Sequence, residues 1–259
     1  MSPGKKRIFT ILFLLMLAPL VGLPSAGGQA PAQPQQPPLP PPVPPPPMPG
    51  EQPRRPVEPP VIKKLGDSLV QINNITVDTR KREVSVSGKM LSDRTLEFIA
   101  SAKDGMKLYE SAIELETDAT TFNFALIMIG LDRSNAVVPE THFGPRAGGD
   151  PVEIWIEWGS DTPRHRMRVE EMLHDLESNR VPKMGEWVYT GSMVLPDGRF
   201  LAEMEGVIIG FVHSPASLIE NAVGTGIGAY GSIRLNPSLK IAPDTELKLT
   251  VKALPKKQD

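Results

Sequence analysis

Between Pro31 and Pro60, sixteen of the thirty residues are proline. Proline has no amide donor and a locked φ, so such a run joins neither helix nor sheet. It is expected to sample polyproline II and act as a semi-stiff spacer, at most about 90 Å long at about 3.1 Å per residue. PPPVPPPP also satisfies PxxP, but a tether is the plainer reading. The run divides the chain, because any core must come from the roughly 195 residues that follow it. That is enough for one domain or two small ones.

Ahead of the run, Lys5-Lys6-Arg7 precedes the mostly apolar Ile8–Leu23. A basic region followed by an apolar one is the order of a secretory signal. The apolar part falls short of the ~20 residues that span a bilayer comfortably. Pro19, Gly22 and Pro24 interrupt it further. Ala30-Pro31-Ala32 is the best small-x-small cleavage site, with the cut before Gln33; without cleavage, residues 8–23 become a membrane anchor. Either outcome exports the rest, to the periplasm or the cell surface. The expected division is a signal peptide or uncleaved anchor over 1–32, a proline-rich linker over 33–60, a globular domain over 61–254 and a tail over 255–259.

Composition narrows function mainly by exclusion. The formal charge is −2 from 28 basic and 30 acidic residues, and removing Lys5, Lys6 and Arg7 makes it −5. A mildly acidic protein lacks the footprint for nucleic acid or an anionic membrane surface. There is no cysteine, which excludes disulfides, thiolate catalysis and cysteine-ligated zinc. Aromatic residues make up 5%, which is poor for stacking-based recognition.

After the linker, alternation in Leu69–Val77 and Glu83–Lys89 predicts two strands of a hairpin, and Leu96–Ala102 a third strand. A fourth begins at Leu108 and leads into a short helix. Asp118 suits its N-cap and Gly130 its stop. Phe122, Phe124, Leu126, Ile127, Met128 and Ile129 make this helix apolar on nearly every side, which predicts burial. Asn135–Asp150 reads as a surface loop. In Val152–Trp158 the residues Val152, Ile154, Ile156 and Trp158 face the core.

Pro163–Val169 reads as the partner strand, with His165, Met167 and Val169 inward and Arg164, Arg166 and Arg168 outward. One allowed register sets Glu157 opposite Arg164, Trp155 opposite Arg166 and Glu153 opposite Arg168. A slip by two residues preserves the facing. Either way, an outer ladder of charge pairs with an Arg–Trp stack is expected. Val169–Asn179 is expected as a short amphipathic helix. Trp187–Val194 and Phe200–Glu205 are expected as a hairpin around Asp197-Gly198, Val207–Val212 as a buried run, and Leu247–Val251 as the closing strand. The fold class expected is α+β and β-rich: mainly antiparallel sheets built from hairpins, with one short buried helix and one short amphipathic helix.

Four stretches go beyond periodicity. They are YES…TDA…ALIMIGL at Tyr109–Leu131, PVEIWIEW at Pro151–Trp158, EWVYTGS at Glu186–Ser192 and AEMEGVIIGFVHSPASLI at Ala202–Ile219. With Pro243–Thr245 before the closing strand, their combination resembles the YdjY-domain family of bacterial exported proteins. The resemblance implies an exported domain without an established activity, and it supplies no catalytic residues. The Asn135–Asp150 insertion and the Gly224–Gly231 loop depart from the family pattern. Glu110 and Ser111 follow it, and they are expected to serve the strand–helix junction.

Other candidate chemistry is thin. Gly226–Gly231 fits GxGxxG but lacks the preceding strand and following helix that a dinucleotide site needs. Gly191-Ser192 has no GxSxG elbow, and His142, His165, His174 and His213 form no close ligand pair. Glu153 and Glu157 lie about 13 Å apart along a strand, beyond glycosidase spacing. No cofactor, metal site or catalytic residue is therefore expected. The candidate ligand-binding residues are Trp155, Arg164, Arg166 and Arg168, whose stripe suits an anionic glycan or phosphate. The expected function is a non-enzymatic binding or structural module of the cell envelope, with an envelope protein or polymer as partner. The alternative is an envelope hydrolase.

Overall fold

The computed structural model describes residues 59–92, 95–142, 144–160, 164–224 and 232–256. The expected signal segment, most of the expected linker and the GxGxxG stretch lie outside the described residues. Among those described, no helix is long and apolar enough to cross a membrane.

Strand β1 (Ile62–Lys64) leads into β2 (Leu69–Ile72), β3 (Ile75–Asp78) and β4 (Glu83–Met90). Asn73, with φ of +50°, turns β2 directly into β3, so the first expected strand is two. Asparagine tolerates that conformation well. Next come β5 (Phe98–Ala102), a 3-10 turn at Leu108–Glu110, β6 (Ser111–Leu115) and helix α1 (Ala119–Met128). Strands β7 (Asp150–Trp158) and β8 (His165–Arg168) follow, then a 3-10 turn at Val169–Met172, β9 (Leu173–Asp175) and β10 (Trp187–Tyr189). The chain ends with α2 (Leu201–Glu205), β11 (Val207–Gly210), β12 (Ile219–Asn221), β13 (Ile233–Leu235) and β14 (Glu246–Ala253).

Eight strands form a ring in the order β4, β14, β7, β10, β12, β11, β5, β6, and the β4–β6 pairing closes it. The expected set of mainly antiparallel hairpin sheets is corrected: the fold is a closed mixed β-barrel with extra strands. Two of its pairs, β5–β6 and β11–β12, are parallel. Closure removes the open edges that a flat sheet would leave. It also needs Gly88, where a Cβ would sit 2.6 Å from the Glu114 carbonyl oxygen. Strand β3 shares the edge of β4 with β6, and β8 shares the edge of β7 with β10.

An eight-stranded barrel is just wide enough for side chains to fill it. Rows such as Val84–Val251–Ile154 and Val86–Leu249–Ile156 run across adjacent strands, and all six residues are buried. Burying each apolar side chain of this size contributes about 1.5–3 kcal/mol before entropy.

Helix α1 has the expected cap. Asp118 accepts from the Thr121 amide at 2.6 Å and from its hydroxyl at 2.7 Å. Gly130 takes the left-handed φ of +85° after the last turn. The helix is not buried all round, however. Phe122, Ala125 and Leu126 are buried, whereas Phe124 and Ile127 are 43% and 50% exposed. It lies with one side on the barrel, and its polar Asn123 receives the Tyr189 hydroxyl at 2.7 Å.

The expected amphipathic helix at Val169–Asn179 is absent; the segment is a 3-10 turn followed by β9, which pairs with β13. Burial of Glu170 against Arg168 holds that turn, and a local 3.6-residue pattern carries no sign of it. The strand expected at Phe200–Glu205 is α2 instead, stopped by Gly206 at φ of +70°. Ala202, Glu203, Met204 and Glu205 are good helix formers, so local propensity prevails there.

Candidate functional site

Each parallel pair makes its connection return along the barrel wall, and the two connections help to line one cavity. The β11–β12 connection supplies His213, Ser214 and Pro215, and the β5–β6 connection supplies Lys107. Glu97 stands just before β5, Phe98 opens it, and Glu205 ends α2. Glu140, Thr141 and His142 come from the loop after α1. The cavity has a volume of about 320 Å³.

The strands hold these groups firmly. The Phe211 and Val212 amides both donate to the Glu97 carbonyl, and the Glu97 amide donates to the Glu110 carbonyl. Behind the cavity, His213 Nδ1 lies 3.0 Å from Glu220 Oε2. Both side chains are fully buried, and the Ser214 amide donates to the other Glu220 oxygen at 3.1 Å. Burial pushes the Glu220 carboxyl up, and hydrogen bonds from His213 and the Ser214 amide oppose that shift. Glu220 therefore orients the His213 ring from the side away from the cavity. Gly210 makes the room: a Cβ there would meet Ser217 Oγ and Glu220 Oε1.

Glu97 is half-buried. Burial first, and then the negative charge of Glu110, raise its carboxyl above the usual range, and His142 and Lys107 pull it back only in part. Lys107 is 3.5 Å from Glu110 and donates to the Tyr109 hydroxyl at 3.3 Å. Among the described residues, the side chains of Glu97, Glu140 and Glu205 have no hydrogen bond or ion pair. Also among them, no group of three or more His, Asp or Glu side chains is placed to hold a metal ion.

The four residues singled out by sequence lie away from this cavity, on β7, on β8 and just before β8. Their register is Trp155 opposite Arg168, Glu157 opposite Arg166 and Trp158 opposite His165, a slip of two from the pairing written above. The Arg166 guanidinium stacks on Trp155 at 4.3 Å and reaches Glu157 at 3.3 Å. Arg168 lies 5.2 Å from the same ring, 3.7 Å from Glu153 and 3.0 Å from the fully buried Glu170. Arg164 is exposed. Lys248 adds a 2.8 Å contact to Glu157. His165, expected inward, is exposed and stacks on Trp158 with ring centres 5.1 Å apart. Sequence reasoning passed over Glu97 and Glu205, and weighed His213 only as one of four histidines without a close ligand pair. The available signal was His213-Ser214-Pro215 after a buried strand, a polar connection where a hairpin turn is missing.

Fold and site together define a closed mixed β-barrel domain with an acidic side cavity. The family model of the YdjY domain matches residues 75–252, more than half of the chain, and the protein belongs to that family. No curated protein and no solved structure matches the chain.

Proposed function

We propose that this YdjY-domain protein is an exported, non-enzymatic binding module of the cell envelope, held on its proline-rich tether, with the acidic cavity as its ligand seat. Support for export comes from Lys5-Lys6-Arg7 ahead of Ile8–Leu23. The observation that carries the binding reading is the unneutralised Glu97, half out of water on a cavity wall held by backbone hydrogen bonds. A concave site with a few convergent polar groups is where a small ligand binds by default. The Trp155–Arg166 stack offers a second surface, suited to an anionic polymer.

The test is co-sedimentation of the exported chain with its native envelope. Glu97→Gln with Glu205→Gln abolishes retention, and Trp155→Ala with Arg166→Ala leaves it intact. The reverse pattern moves the seat to the strand face, and retention unchanged in both variants overturns the proposal. A hydrolase is the second reading, favoured by the His213–Glu220 pair behind the cavity wall. New fragments released from the envelope by wild type, but not by His213→Ala, would establish it.

A further inference from the structure

We infer that the cavity takes the ammonium group of a small organic amine, with Glu97 and Glu205 as the carboxylates that receive it. This rests on the cavity being the ligand seat. The lining carries Glu97, Glu140 and Glu205 against the single fixed cation Lys107. Lys107 is already engaged by the buried Glu110 outside the lining. The free charge at the wall is therefore negative, which repels a carboxylate or phosphate ligand.

A carboxylate held partly out of water beside a second negative group costs free energy, and a bound cation removes that cost. A neutral sugar has no indole to stack on here, since Trp155, Trp158 and Trp187 all lie outside the lining. An ammonium has three donors, enough for two carboxylates and the Thr141 hydroxyl on the same wall. Pro215, partly exposed on the same wall, supplies an apolar surface for the attached carbons. The volume of about 320 Å³ suits a ligand the size of one amino acid.

The experiment is a titration of the isotope-labelled exported chain with n-butylammonium, with 1-butanol, acetate and calcium as separate probes, read at backbone amides. Butylammonium is expected to shift the amides of Glu97, Phe98, Lys107 and Ser214, whereas butanol and acetate leave them unmoved. Glu97→Gln with Glu205→Gln weakens binding by about tenfold or more. Both substitutions keep side-chain size, and unchanged amide dispersion elsewhere confirms folding. Equal shifts with butanol, unaltered affinity in the double variant, or stronger occupation by calcium or acetate overturns the amine inference. If an envelope fragment without an amine fills the cavity, the inference falls and the binding reading stands. If envelope fragments move only Trp155 and the arginines, the binding reading of the cavity falls as well.

Discussion

At Glu97 three influences meet: partial burial, the nearby charge of Glu110, and the weak pull of Lys107 and His142. The first two win, so the folded carboxyl holds its proton more tightly than the ordinary value of 4.5. A raised folded value favours the native state fully below the unfolded pKa and loses that contribution as pH rises through the folded one. Glu97→Gln should thus match wild type in acid and gain relative stability from about pH 4.5 upward, as read by denaturant midpoints across pH. Tyr189 follows the same sign at the alkaline end. Burial raises its phenol to about 12, so its contribution is full below the ordinary value of 10 and is lost progressively between 10 and about 12. Phenolate absorbance should show a late phase near pH 12 that Tyr189→Phe removes. Residue-scale features are legible in sequence when their partners are local. Asp118 caps Thr121 three positions on, so the cap can be read directly. Glu97 is legible only through Glu110, Glu205 and His213, which the fold brings to it.

The β7–β8 ladder separates two arginines that look alike in sequence. Arg166 is about half exposed, and its pair with Glu157 is worth at most about 1 kcal/mol. Arg168 is buried against Glu170, whose other oxygen is unpaired and whose bonded oxygen also accepts the Gly185 amide. Removing Arg168 strands a buried carboxylate, a change that costs about 3–5 kcal/mol. Urea unfolding should therefore show Arg168→Ala far less stable than Arg166→Ala. Alternation makes the facing of these strands readable, because side chains repeat every two residues. Register is not readable, since a slip of two keeps every face. His165 escaped its assigned face because it lies near the strand end, where Trp158 offers a ring to stack on. Helix α1 shows the converse limit. Apolar residues all round predicted burial, yet the barrel covers one side only and leaves Phe124 and Ile127 in solvent.

At the scale of the molecule, barrel closure depends on pairings that no local pattern announces. Strand β4 meets β14 on one edge and divides the other between β3 and β6. Hairpin logic reaches β2–β3–β4 but not β6 closing on Gly88, nor the parallel β5–β6 and β11–β12 pairs. Those parallel pairs bring Lys107 and His213 to one cavity, so the features hardest to read from sequence are the ones that build the site. The central claim is that this cavity, rather than the arginine–tryptophan face, holds the ligand. Its most direct test is a backbone-amide shift map of the isotope-labelled chain titrated with soluble cell-envelope fragments. Shifts at Glu97, Lys107, Glu205 and His213, with the Trp155 indole unmoved, are the predicted result. Shifts confined to Trp155, Arg164, Arg166 and Arg168 would contradict it.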